Sequence, residues 1–134
     1  MSRFTILVID DDPDVLDVVA ELLEADGYTV LRAASGPEGL DLCKARVPHL
    51  VLLDLTMPGM DGVATIQKLK ADPDTRRIPV VLLSGAVGSD ASELTRAGSL
   101  GHIAKPIDPE AFPGLVARFL EAAVARRDHV TRER

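Results

Sequence analysis

A chain of 134 residues and 14.3 kDa has the size of one domain, and 46% hydrophobic with 27% charged residues excludes a disordered or fibrous polypeptide. A single cysteine, Cys43, excludes an internal disulfide and a thiolate metal cluster, and points to a reducing, cytoplasmic setting. The net charge of −6 argues against direct nucleic-acid binding. No stretch approaches the ~18 apolar residues of a membrane span.

The apolar start, Phe4-Thr5-Ile6-Leu7-Val8-Ile9, runs straight into Asp10-Asp11-Asp12-Pro13-Asp14. No small-residue cleavage site follows it, so it reads as a buried strand rather than a signal peptide. From Val15 the apolar residues Val15, Leu16, Val18, Val19, Leu22 and Leu23 keep helical spacing until Gly27 stops the helix. A short strand over 28–32 follows. Ser35 then caps a helix through about Arg46, with Pro37 in its first turn and Glu38 three residues after the cap. Residues 49–53 form a third strand. The loop Thr56-Met57-Pro58-Gly59-Met60-Asp61-Gly62 leads into a helix carrying Val63, Ile66 and Leu69, closed by Asp72-Pro73.

A fourth strand is expected over 79–83 and a short helix from Ser89 or Asp90 to Gly98. A fifth strand covers 101–104. The last helix opens at Asp108-Pro109-Glu110 or, given Pro113-Gly114, at Pro113, and its inner face is Leu115, Val116, Phe119, Leu120 and Ala123. The domain is expected over 1–127, with fraying from Arg126 into a charged tail over 128–134. Five strand–helix units with nearly continuous apolar strands imply a parallel sheet covered on both faces. Ligands of such sheets sit beyond the carboxyl ends of the strands.

Polar side chains collect at those ends: Asp10 and Asp11 after the first strand, Asp54 after the third, Ser84 after the fourth and Lys105 after the fifth. The acids are unevenly spread as well, with 12 acidic and 4 basic residues in 1–62 and five aspartates between positions 10 and 17. Helix capping accounts for Asp12, Asp14 and Asp17. It does not account for three carboxylates at one edge, where each like-charge pair at ~4 Å costs roughly 4 kcal/mol at an effective dielectric of ~20. Such a set requires a cation or a proton. Oxygen ligands with room for water suit Mg2+. With Lys105 and one Mg2+ the formal charges cancel, and Asp54 becomes a carboxylate able to take a phosphoryl group, with the Ser84 hydroxyl beside it.

Four ordered pieces resemble the receiver domain of two-component response regulators over about residues 3–125. They are Ile6-Leu7-Val8-Ile9-Asp10-Asp11-Asp12-Pro13; Leu50-Val51-Leu52-Leu53-Asp54-Leu55-Thr56-Met57-Pro58-Gly59-Met60-Asp61-Gly62; Val80-Val81-Leu82-Leu83-Ser84-Gly85; and Ala97-Gly98 with Gly101-His102-Ile103-Ala104-Lys105-Pro106. The resemblance implies a flavodoxin-like doubly wound (βα)5 sandwich with strand order 2-1-3-4-5. It implies that Asp54 is the phosphoacceptor, that Asp11, Asp54 and the Thr56 backbone carbonyl bind Mg2+ directly, and that Asp10 acts mostly through water. Ser84 and Lys105 would contact the phosphoryl oxygens, and Lys105–Pro106 would be a cis peptide. Ser84 and His102 fall on the switch positions, where a histidine in place of the usual aromatic makes the second one titratable.

The implied partners are a sensor histidine kinase or histidine phosphotransfer protein and an unknown downstream protein. The chain is expected to be a stand-alone receiver and a monomer, with a phosphorylation-linked dimer as the variant state. It would catalyse only its own phosphorylation and dephosphorylation. The alternatives are a receiver cut from a larger regulator, either a transcription factor or a hybrid kinase, and an aspartyl-nucleophile phosphatase. Thr56 stands where such a phosphatase places its second aspartate. Thr56 and Ala86 also lack an acid or amide to orient water, so the phosphoryl group should outlast seconds.

Overall fold

The computed structural model describes residues 4–54, 62–84 and 98–132, leaving outside the described set the side chains of Val63, Ser84 and residues 126–132. The elements are β1 (Thr5–Ile9), α1 (Pro13–Ala25), β2 (Thr29–Ala33), α2 (Gly36–Arg46), β3 (Leu50–Asp54), α3 (Gly62–Ala71), β4 (Val80–Ser84), β5 (Gly101–Ala104) and α4 (Phe112–Arg132). All strand pairs are parallel, in the order β2-β1-β3-β4-β5. This is the flavodoxin-like order. The helix expected between Ser89 and Gly98 falls mostly on residues outside those described.

Alternation along the strands splits the core in two. Ile6 and Val8 of β1, Leu50 and Leu52 of β3, and Val81 and Leu83 of β4 pack with Leu16, Val19 and Leu23 of α1 and with Phe112, Val116 and Leu120 of α4. Leu7, Ile9, Val51, Leu53, Val80 and Leu82 face the other way, onto Cys43 of α2 and Ile66 and Leu69 of α3. Each central strand therefore buries both faces, which is why its sequence shows no polar alternation.

Local chemistry fixes the helix ends. The Asp12 side chain caps α1, accepting from the Asp14 N–H, with Pro13 in the first turn. Gly27, at φ 93°, closes α1 in a Schellman arrangement: its N–H donates to the Glu24 carbonyl and the Tyr28 N–H to that of Leu23. Ser35 caps α2 by accepting from the Glu38 N–H. Past α3, the buried Thr75 hydroxyl donates to the Leu69 carbonyl, and Lys70 Nζ donates to the carbonyls of Arg76 and Ile78. These bonds hold 72–79 against the helix that precedes it.

Four details differ from the sequence reading. Val18 lies on the outer face of α1, 43% exposed, because the apolar stripe of that helix is wider than the arc its neighbours cover. Residues 109–111 form turns, in which Asp108 Oδ1 accepts the Glu110 N–H and the Asp108 carbonyl accepts the Phe112 N–H, and α4 starts at Phe112, whose ring is buried. The backbone of α4 stays helical past Arg126 to Arg132. Last, α2 ends without a glycine: Val47 takes the left-handed conformation at φ 43°.

His49 does structural work. Its Nδ1 accepts the Thr5 N–H at 3.0 Å while its own N–H donates to the Thr5 carbonyl at 2.8 Å. Its ring meets Phe4 edge-on at 5.2 Å. The imidazole thereby extends the β1–β3 ladder by one acceptor, with its proton on Nε2.

Candidate functional site

Every strand of a parallel sheet points its carboxyl end to the same edge, so the polar residues that end β1, β3 and β5 must converge there. Asp10 follows β1 and is fully buried, and Asp54 closes β3 at 3% exposure. Asp11 is exposed beside them. One carboxylate oxygen from each of Asp10, Asp11 and Asp54 lies within 4.8 Å of the others.

Lys105, directly after β5, binds the set together. Its Nζ donates to Asp10 Oδ2 at 2.9 Å and to Asp54 Oδ1 at 3.2 Å. It stands between the two buried carboxylates. Burial pulls the Lys105 ammonium down, but its hydrogen bonds to Asp10 and Asp54 and their charges together outweigh that effect and raise its pKa above the ordinary lysine value. The lysine is therefore a fixed cation. The Lys105–Pro106 peptide bond is cis.

Asp10 is held on its other side by the chain itself. Its Oδ1 accepts the Asp12 N–H at 2.9 Å, and its own N–H donates to the Ala33 carbonyl. Asp12 repeats the same two-residue turn with Asp14. Orientation of Asp10 by the Asp12 amide is the feature that the sequence reading missed. Its signal was present in the Asp-Asp-Asp-Pro-Asp run, where one residue both caps a helix and donates backward. Asp17 pairs with Arg32 at 2.5 Å on the surface.

Of the other residues expected at the site, Ser84 ends β4 with its Cα level with Ala104, and its side chain lies outside those described. Thr56 and Ala86 fall outside them as well. His102 sits on β5 opposite Leu82, with its side chain exposed. Cys43 is buried in the α2–α3 core, where burial pushes its thiol up to about 11.

The donor set fits a small divalent cation. It offers carboxylate oxygens only, two of its three acids are buried, and one ammonium stands against three carboxyl groups. Hard oxygen donors with an open side at Asp11 match Mg2+ chemistry.

Residues 6–117 match the family model of the response regulator receiver domain. The chain is 40% identical over 104 residues to the response regulator PleD of Caulobacter vibrioides, an alignment taking in 77% of this chain and 23% of PleD. It is 31% identical over 118 residues to the polar-differentiation response regulator DivK of Brucella ovis, covering 87% of this chain and 90% of DivK. A CheY-like receiver domain protein from Methanospirillum hungatei superposes with a TM-score of 0.83 at 28% identity, over 93% of this chain and 99% of that one. The chain thus spans less than a quarter of PleD and nine-tenths of DivK.

Proposed function

The chain belongs to the response regulator receiver domain family, and from that premise we propose that it takes a phosphoryl group onto Asp54 and signals by the change in protein binding that follows. The observation that carries this reading is the Lys105 ammonium hydrogen-bonded to both Asp10 and Asp54 at the carboxyl edge of the sheet. An Asp54 oxygen attacks the phosphorus of a phosphohistidine; the new O–P bond forms as the N–P bond breaks, and the imidazole leaves with a proton from water. The donor is a sensor histidine kinase or a histidine phosphotransfer protein.

Asp10, Asp11 and Asp54, with the Thr56 carbonyl, would hold Mg2+, which when bound supplies positive charge to a phosphoryl group in transfer. Lys105 does the work visible in the chain. It holds Asp54 in place before transfer, and its charge remains to meet the phosphoryl oxygens after it. Asp10, pinned by the Asp12 amide, keeps the lysine from swinging into solvent. The Ser84 hydroxyl would complete the phosphoryl contacts, and His102 would report the change at the surface. Catalysis is limited to the chain's own phosphorylation and its reversal, and the site lacks an acid two residues past Asp54 to hasten hydrolysis.

None of the described helices is long and apolar enough to cross a membrane. The extent of the match to DivK supports a stand-alone receiver. The match to a quarter of PleD supports the second reading, a receiver within a longer regulator. The mass of the native gene product separates the two.

The direct test is intact-mass spectrometry after incubation with acetyl phosphate and Mg2+, beside Asp54→Asn. A single Mg2+-dependent phosphoryl adduct, absent from the variant, is expected. A folded protein that forms no adduct with either acetyl phosphate or a phosphorylated histidine donor refutes the reading.

A further inference from the structure

At the sheet edge remote from the carboxylates, where strands begin and helices end, the protein keeps an open groove of about 460 Å3. Phe4 and Tyr28, directly before β1 and β2, line it together with Ala117, Leu120, Glu121 and Val124 of α4. Its aromatic side is fixed by the backbone: the Thr29 N–H donates to the Phe4 carbonyl and the Tyr28 N–H to that of Leu23. Its helical side passes from core to water within one turn, Leu120 and Ala123 being buried and Val124 39% exposed. Little apolar surface continues outside it. Among the described residues the other exposed large hydrophobics are Val18, on the outer face of α1, and Val47, after α2.

The groove is acidic. Glu121 lines it and no described base does. A second acid, Asp26, acts on the same phenol: burial first, then the charges of Asp26 and Glu121, raise the Tyr28 hydroxyl above the ordinary tyrosine value. Helix α1 also ends here. Its last turn holds no base and its cap is Asp26, whereas α2 ends with Lys44 and Arg46 and α3 with Lys68 and Lys70. The carboxyl end of a helix carries partial negative charge and favours a cation. At α1 the chain supplies acids instead, and it does so beside an apolar cleft.

We propose that the groove binds a small organic cation, with an ammonium or guanidinium group among Asp26, Glu121 and Tyr28 and an apolar body along α4 against Phe4, Leu120 and Val124. Both halves of such a ligand find a complement: carboxylates and an aromatic ring for the charge, buried aliphatic side chains for the body. From Ala117 to Val124 the helix rises roughly 10 Å, which sets the length of that body. A groove of about 460 Å3 falls among small-ligand sites, which run to ~300–1,000 Å3. A protein partner needs on the order of 1,000 Å2 of complementary surface, and here the apolar lining stops at the rim. The site lies at the opposite edge from Asp54, so the failure of either reading leaves the other intact.

Tyr28 is the single tyrosine and the chain has no tryptophan, so its emission reports on this groove alone. Hexylammonium added to the full chain at neutral pH should change that emission saturably and shift the amide NMR signals of Phe4, Tyr28 and residues 120–124. Methylammonium, which lacks the apolar body, and hexanoate, which reverses the charge, should bind at least about tenfold more weakly. Glu121→Gln and Val124→Ser, both at exposed positions, should each weaken hexylammonium about threefold or more. Circular dichroism melts identify a variant that fails to fold, and the ligand series on the unaltered chain decides the matter if one does. No saturable response, equal responses to hexylammonium and hexanoate, or NMR shifts centred elsewhere overturn the proposal. A response to oligolysine but not to hexylammonium overturns it in favour of a basic protein segment. A change of Tyr28 emission with protein concentration alone overturns it in favour of a second copy.

Discussion

Replacing Lys105 by methionine keeps the length of the side chain and removes the one cation that the described residues place between Asp10 and Asp54. Each of the two contacts, at 2.9 and 3.2 Å, is worth roughly 5 kcal/mol of attraction at an effective dielectric of ~20. The desolvation of three charged groups offsets most of that. What remains after the substitution is two buried carboxylates, their closest oxygens within 4.8 Å, repelling each other by roughly 3 kcal/mol at the same dielectric. Removing one partner of a buried ion pair costs about 3–5 kcal/mol. The open side at the exposed Asp11 lets water relieve part of it, so a loss of about 2–4 kcal/mol is expected near neutral pH without divalent ions. Urea unfolding followed by far-ultraviolet circular dichroism, with a chelator and then with Mg2+, measures it. Mg2+ should recover more stability in Lys105→Met than in the unaltered chain, because the ion then supplies the compensating charge that Lys105 no longer does. A loss under about 1 kcal/mol, or one that Mg2+ leaves unchanged, would refute the assignment of Lys105 as the internal counter-ion.

Three further outcomes follow from local geometry. Val47→Gly should stabilise the protein by about 0.5–1 kcal/mol in urea unfolding, since a left-handed β-branched residue costs roughly 1–2 kcal/mol and glycine returns part of that through unfolded-state freedom; at 56% exposure Val47 gives up little packing. Gly39→Ala should destabilise by about 1–3 kcal/mol, read as a lowered Tm, because a Cβ there would come within 2.3 Å of Cδ1 and 2.8 Å of Cγ1 of the fully buried Ile9. Cys43, an acid whose pKa is raised on folding to about 11, contributes stability that is complete below its ordinary value near 9 and is lost as pH rises toward 11. Melts across that range should therefore decline less steeply for Cys43→Ala than for the unaltered chain.

Much of this protein was legible from residue order because the signals are local. The apolar runs 6–9, 50–53 and 80–83 became buried strands, and Asp12, Ser35 and Gly27 became caps and a stop because each needs only its neighbours within four residues. Asp10, Asp54 and Lys105 were found at strand ends because an apolar strand of a doubly wound sheet leaves polar side chains nowhere else to go. The contacts among them were not legible. Lys105 is 95 residues from Asp10 and 51 from Asp54, and only the strand order, which seats β3 between β1 and β4, brings their charges within hydrogen-bond reach. His49 is 44 residues from the Thr5 amide it accepts, and no spacing rule connects them. Val18 kept helical periodicity yet faces water, since how much of an apolar stripe is covered depends on what packs against it. Periodicity and capping act within a turn or two of chain and can be read from sequence. Charge pairing, groove formation and the side of a helix left bare depend on distances between distant segments, and those the fold alone sets.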